Sequence, residues 1–361
     1  MASNSVRIAV LPGDGIGTEV TEATLAVLEP LARRHGIGLA TEIVPAGAFH
    51  YQAIGEAFPE ASFRAAEASD AILLGAMGWP GIRQADGTEI APQLDLRFRL
   101  QLYAGVRPVR AIPGVPLALA DPRAADIDFV LIRESTEGLF YSRGKGLVMA
   151  DMAEETLRIT RSTTEKLARF AFRLAERRAQ RSGKRPFVTL VDKANVFRAF
   201  AFMRAVFDGV AAEFPEVESG HHYVDAMALD LVRRPWAFDV LPTENMFGDI
   251  LSDLAAGLVG GMGFSPSADI GDEHAVFQPA HGTAPDIAGQ GIANPTAMLL
   301  SAAMMLDWLA SRGAGEAFAE AGAELERAVD AAFAAGLRTA DIGGGDGTAA
   351  VVREVMERLV R

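Results

Sequence analysis

Asn245-Met246-Phe247-Gly248-Asp249-Ile250-Leu251-Ser252-Asp253-Leu254 sets two aspartates four residues apart in a stretch that reads as helix. At that spacing both carboxylates project from one face, one turn apart, and like charges there repel. Ile250, Leu251 and Leu254 around them predict partial burial. Paired carboxylates withdrawn from water are costly unless something positive lies between them. A hard divalent cation with oxygen ligands meets that need; a solvated acidic helix face is the plain alternative. The remainder of the chain decides between the two.

The chain has 361 residues, half of them apolar, and a formal net charge of −13. That length predicts two α/β domains around ample hydrophobic cores. Acids and bases are interspersed, which argues against binding nucleic-acid phosphates or an anionic membrane surface. A small anionic substrate needs only a local basic cluster. With no cysteine in the chain, thiolate metal sites, disulfides and thiol nucleophiles are excluded. Residues 1–10 run into a strand-like segment without a basic, apolar leader, and no stretch is apolar enough to span a bilayer. The expected location is the cytoplasm.

Short β-rich runs at 6–11, 71–74, 129–132, 187–191 and 239–241 alternate with helical periods at 19–34, 154–181, 196–214, 295–311 and 315–335. Such alternation predicts a mostly parallel sheet with helices on its faces. Val106-Arg107-Pro108 and the glycine-rich 257–263 run are the best crossover points. The first domain is then 1–106 plus 260–361 and the second 107–259, with a cleft between them where ligands usually bind.

Gly13-Asp14-Gly15-Ile16-Gly17 follows the first strand and opens a helix, but its spacing is G-x-G-x-G and no acidic ribose partner follows at the right place. It reads as a tight turn rather than a Rossmann fingerprint. Gly343-Gly344-Gly345-Asp346-Gly347-Thr348 likewise reads as a turn at the last helix, and neither segment is a P-loop. Arg97, Arg99, Arg107 and Arg133 are more informative. Arg133 ends an apolar strand, and a guanidinium there requires an anion, either a substrate carboxylate or a structural acid. Lys193 also ends an apolar strand; carried into a cleft beside a metal, it could serve as a general base. In His221-His222-Tyr223-Val224-Asp225, adjacent histidines on a strand face opposite ways, so Asp225 is the better third carboxylate ligand. The loop from His281 to Gly289, with Asn294, is dense in small residues and polar hooks, and Asp286 could accept both hydroxyls of a ribose.

In order, these segments resemble the metal-dependent β-decarboxylating dehydrogenases acting on 3-isopropylmalate, isocitrate, homoisocitrate and tartrate or D-malate. The matching pieces are Leu11 to Gly17, Leu96-Arg97 with Val106-Arg107-Pro108, Arg133-Glu134-Ser135-Thr136-Glu137-Gly138, and Val191 to Asn195. Tyr223 to Met227, Asn245 to Leu254 and His281 to Asn294 complete them, and the likeness spans about residues 6 to 350. It implies two open α/β domains of the isopropylmalate dehydrogenase type, not a Rossmann fold, in a homodimer that shares its active cleft. By the same resemblance, Arg97, Arg107 and Arg133 clamp the carboxylates of a hydroxy-dicarboxylate substrate. Asp249 and Asp253, with Asp225 from the partner subunit, hold Mg²⁺ or Mn²⁺, and Lys193, also from the partner, takes the C2 hydroxyl proton. Ile16, His281, Gly282, Thr283, Ala284, Asp286, Ile287 and Asn294 line the nucleotide site. An acid at 286 would repel a 2′-phosphate, so the cofactor is expected to be NAD⁺.

Two departures bear on the substrate and on proton delivery. The tyrosine that the family places seven residues after the clamp arginine is Phe140 here, and Tyr141 next to it is expected to take over as catalytic acid. Where isopropylmalate dehydrogenases hold the alkyl group with an acid and two leucines, the chain offers Ile90, Gln93 and Leu94. The leading expectation is oxidative decarboxylation of 3-isopropylmalate, a step of leucine biosynthesis, to 4-methyl-2-oxopentanoate and CO2. Tartrate or D-malate is the alternative substrate. A catalytically silent, nucleotide-binding regulatory paralogue is the reading from another class, but such subunits lose ligands or clamp residues, and none is lost here.

Overall fold

The computed structural model describes residues 5–359, so the outermost residues of the expected first domain, 1–4 and 360–361, lie outside it. The strands are β1 (Ser5–Leu11), β2 (Gly38–Ile43), β3 (Ala71–Leu74), β4 (Ala104–Arg110), β5 (Asp128–Glu134), β6 (Leu147–Val148), β7 (Ala153–Glu154), β8 (Phe187–Asp192), β9 (Glu218–Tyr223), β10 (Val240–Thr243), β11 (Pro266–Ile270) and β12 (Ala275–Pro279). The helices are α1 (Ile16–His35), α2 (Ala48–Ile54), α3 (Glu60–Glu67), α4 (Pro92–Arg99), α5 (Arg161–Ser182), α6 (Arg198–Ala211), α7 (Val224–Arg233), α8 (Asn245–Leu258), α9 (Thr296–Leu309), α10 (Glu316–Ala334) and α11 (Thr348–Leu359).

Ten strands form one continuous sheet in the order β2-β1-β3-β12-β11-β4-β5-β10-β8-β9. Both flanks are parallel, as strand–helix alternation predicts. The centre differs: β12, β11, β4 and β5 are joined by antiparallel ladders. No sequence period announces that switch. It matters because β4, which the expected boundary at 106 divides, welds the strands of the two chain ends to those of the middle.

The helix expected over 154–181 begins only at Arg161. The Thr160 side chain accepts from Thr163 N, and Glu137 accepts from both Thr160 N and Thr160 Oγ1, which fixes the helix start. Residues just before it form a short hairpin, β6–β7. Helix α9 is buried almost all round, against β11 and β12 on one side and α1 and α10 on the other, which explains its mostly apolar sequence. No helix among the described residues is long and apolar enough to cross a membrane.

The glycine turn after β1 serves packing. Gly13 has φ +82°, and a Cβ there would stand 2.1 Å from the Ala76 carbonyl oxygen, which accepts from Asp14 N. That turn therefore admits no side chain. Gly13→Ala should destabilise the protein by roughly 2–4 kcal/mol, combining positive φ with a backbone clash. A melting temperature within a degree or so of wild type would refute this account of the turn.

Candidate active site

Three arginines converge where the antiparallel centre begins: Arg97 in the last turn of α4, Arg107 on β4 and Arg133 on β5, all buried. Guanidinium groups withdrawn from water need anionic partners. Asp269 on β11 is shared by Arg97 and Arg107, while Arg133 pairs with Asp249. Asp269 is 1 % exposed, and it accepts from Arg97 Nε at 2.8 Å, Arg107 Nη2 at 3.3 Å and Gln278 Nε2 at 2.8 Å. The ladders set this convergence, since Gly105 lies opposite Arg133 on one side and Asp269 on the other.

Burial alone would raise the Asp269 carboxyl, but the charges of Arg97 and Arg107 prevail and hold it below the ordinary range. Burial, then the charge of Arg97, brings the Arg133 guanidinium down to about 10, still protonated at neutrality. Three buried cations face one buried carboxylate, and Arg133 pairs instead with the half-exposed Asp249. Neither Asp269 nor Gln278 emerged from sequence reasoning. The only signal was a lone acid in the apolar run Pro266-Ser267-Ala268-Asp269-Ile270.

Helix α8 is built to dock on Arg133. Its first turn is capped by Glu244, whose carboxylate accepts from Met246 N and Phe247 N. Asn245 accepts from Arg133 Nε at 2.8 Å and donates to the Glu137 carbonyl at 2.9 Å. At Gly248 a Cβ would fall 2.6 Å from that of Arg133, so glycine permits the close approach. Asp249 then reaches the Arg133 guanidinium directly, and Asp253 follows one turn on. The partial burial expected from Ile250, Leu251 and Leu254 holds only for the inner face: Leu251 packs inside, while Ile250 is 62 % exposed and both carboxylates stand open in the single chain. Burial and then the charge of Asp249 raise the Asp253 carboxyl. Repulsion of that kind favours a cation between them.

An open cleft of about 700 Å³ is lined by Arg97, Arg107, Arg133, Asp249 and Asp253, and by His281 and Gly282 at its far end. Lys193 and Asp225 do not line it. They form an ion pair of their own where β8 ends and α7 begins, and among the described residues no three acids or histidines of one chain cluster as a metal site. The expectation for Tyr141 requires correction. Phe140 lines the cleft, its ring 4.9 Å from the Arg133 guanidinium, whereas the Tyr141 ring is taken by Arg158 at 3.6 Å and Lys145 at 4.4 Å. Consecutive residues of a short helical turn point differently, and the cation-rich side claims Tyr141. Gln93 and Leu94 line the cleft as expected, but Ile90 is fully buried in the interior.

The loop from His281 to Asn294 abuts the glycine turn, since Ile16 N donates to the Thr283 carbonyl at 3.0 Å. Ala284 takes φ +40°, a strained conformation for a non-glycine residue. His281 Nδ1 pairs with the Gly282 carbonyl at 2.9 Å, and burial lowers the imidazole pKa, so the ring is neutral with Nε2 as acceptor. Among the described residues that Nε2 is buried without a partner, an orphan suited to a ligand N–H. Asp286 is exposed and Ile287 half-buried. Asn294 braces the loop, its amide engaged by Thr296 N, Thr339 and Asp341. Donors and acceptors of these kinds fit a dinucleotide, and the open carboxylate pair fits a hard cation.

The profile of the isocitrate/isopropylmalate dehydrogenase family matches residues 7–359. The chain belongs to that family. It is 42 % identical, over 98 % of either chain, to the 3-isopropylmalate/3-methylmalate dehydrogenase of Methanocaldococcus jannaschii. Two crystal structures are similar throughout: isocitrate dehydrogenase from Methylococcus capsulatus (TM-score 0.84, 34 % identity, 99 % and 100 % coverage) and a β-decarboxylating dehydrogenase from Thermococcus kodakarensis (0.80, 37 %, 98 % and 96 %). The chain is an enzyme of the 3-isopropylmalate dehydrogenase type, and its α/β fold is that of isocitrate/isopropylmalate dehydrogenases.

Within this family member, Asp269→Asn should cost about 3–5 kcal/mol in denaturant unfolding, because it leaves buried guanidinium groups uncompensated. Asp249→Asn, at a half-exposed carboxylate, should cost less than about 1 kcal/mol. The Asp269 contribution is present above the ordinary aspartate pKa and is lost as pH falls through its lower folded-state value. Equal stability losses for the two variants would overturn the assignment of Asp269 as the shared counter-ion.

Proposed function

We propose that the protein catalyses NAD⁺- and divalent-metal-dependent oxidative decarboxylation of a (2R)-malate derivative, with 3-isopropylmalate as the first substrate to test. The observation that carries this reading is the surplus of buried arginine charge facing two acids one turn apart on α8. A substrate dianion and a dication together neutralise that arrangement. The name of the M. jannaschii relative supports the alkylmalate.

Arg97, Arg107 and Arg133 would grip the two carboxylates of the malate unit, with Asp269 and Asn245 keeping the guanidinium planes fixed. Asp249 and Asp253, with the partner subunit's Asp225, would hold Mg²⁺ or Mn²⁺. When bound, the cation supplies Lewis acidity at the C2 oxygen and NAD⁺ the hydride acceptor. The partner subunit's Lys193 would take the hydroxyl proton, with Asp225 orienting its amine. His281 Nε2 would accept from the dinucleotide, and Asp286 would bind the ribose hydroxyls and repel a 2′-phosphate.

A homodimer with a shared cleft is part of the proposal. Val196, Phe197, Leu229, Val232 and Ile250 leave an exposed apolar face around α6, α7 and α8, beside both the Lys193–Asp225 pair and the Asp249–Asp253 helix. Monomers seldom expose so many large apolar side chains together. A second substrate reading rests on Gln93, whose Oε1 is buried in the cleft wall without a partner among the described residues. An alkyl substituent would leave that atom unsatisfied, while a hydroxyl would pair with it, which favours tartrate.

Turnover of 3-isopropylmalate, D-malate, tartrate and isocitrate with NAD⁺ and Mn²⁺ should rank 3-isopropylmalate first and cease on chelation. Isopropylmalate proving the poorest substrate, or undiminished turnover after chelation, would end the main reading. Lys193→Ala and Asp249→Asn should each be inactive alone. Co-expressed in equal amounts, they should regain about a quarter of wild-type activity, since half the dimers are mixed and each holds one intact site. No recovery in verified mixed dimers would place both groups in one chain's site.

A further inference from the structure

Buried Asp14 is the organiser of a feature that the chemistry above does not use. Its carboxylate, 1 % exposed, accepts from Ala48 N at 2.7 Å and Phe49 N at 3.0 Å, the first turn of α2, and from Gly78 N at 2.9 Å. One acid thus fixes the backbone of Phe49 and that of the residue preceding Trp79. The two rings lie together, centroids 5.0 Å apart and planes tilted by 48°. Phe49 is 45 % exposed and Trp79 half-exposed, so the pair presents an apolar surface that the described residues leave partly open.

Their position gives that surface a purpose. A Cβ built on Gly15 would lie 3.1 Å from Trp79 Cζ3 and 2.3 Å from the Thr283 carbonyl oxygen. Trp79 therefore abuts the contact between the glycine turn and the 281–287 loop. Through Gly78 it also continues the segment Leu74, Ala76 and Met77 that lines the cleft. We propose that Trp79 and Phe49 form a pre-built shelf on which a heteroaromatic ring of the dinucleotide stacks, making Trp79 an affinity determinant for the cofactor. This rests on the dinucleotide-dependent reading above. Aromatic faces attract planar rings irrespective of hydrogen-bond pattern. Fixing both backbones in advance lowers the ordering cost of binding.

Calorimetric titration of the intact protein with NAD⁺, nicotinamide mononucleotide and ADP-ribose tests the shelf, alongside tryptophan fluorescence. NAD⁺ should quench the wild-type emission. Trp79→Ala should lose the Trp79 share of the quench and weaken NAD⁺ on the order of tenfold or more, as for loss of one stacked ring. Trp79→Phe should retain most of the affinity, and Phe49→Ser, at an exposed position, should weaken NAD⁺ less than Trp79→Ala. The KM for the hydroxy acid should not move. If the stacked ring is nicotinamide, Trp79→Ala spares ADP-ribose and weakens the mononucleotide; if it is adenine, the reverse holds. Unchanged affinity for all three ligands in the Trp79 and Phe49 variants overturns the shelf and leaves the proposed reaction standing. Failure of the wild type to bind NAD⁺ at all would remove both.

Discussion

Everything at the centre of this molecule depends on one carboxylate. Arg97 and Arg107 could not both be buried without Asp269 between them, and the arginine-lined part of the cleft would not exist without buried arginines. A buried ion cluster of this kind is weak evidence for stability, because desolvation offsets most of the attraction. Its value lies in preorganisation. The guanidinium groups are held in place by Asp269 and Asn245 before any ligand arrives.

The same economy recurs around α8 and the glycine turn. Asn245 and Gly248 let α8 approach Arg133 so closely that Asp249 is placed by backbone geometry rather than by side-chain flexibility. Asp14 does for α2 and the 75–79 loop what Asp269 does for the arginines: a single buried acid fixes several backbones at once. In both places a short polar side chain with no freedom to move defines where larger groups stand.

Much of this was legible in the chain. The parallel flanks follow from strand–helix alternation, and the acids at 249 and 253 follow from helical spacing. The arginines were legible as charges at the ends of apolar strands, which are costly unless matched. The antiparallel centre was not legible, because the direction of β4, β11 and β12 depends on the neighbours they pair with rather than on their own sequence. Asp269 was missed for a related reason: a single acid in a strand shows no partner until distant strands are aligned. Tyr141 failed because one residue of offset in a tight turn redirects a ring, and Arg158, far along the chain, decides which way it faces.

Sequence by itself determined the residue types and their local periods, hence the alternating elements, the paired carboxylates and the loop rich in small residues, since these depend on contacts within a few positions. The family followed from the order of those motifs. Tertiary structure alone decided which charges neutralise each other, which of Phe140 and Tyr141 faces the cleft, and that Lys193 and Asp225 pair away from Asp249 within one chain. Those outcomes are set by packing between segments tens to hundreds of residues apart, where burial makes each unmatched charge too costly to leave alone.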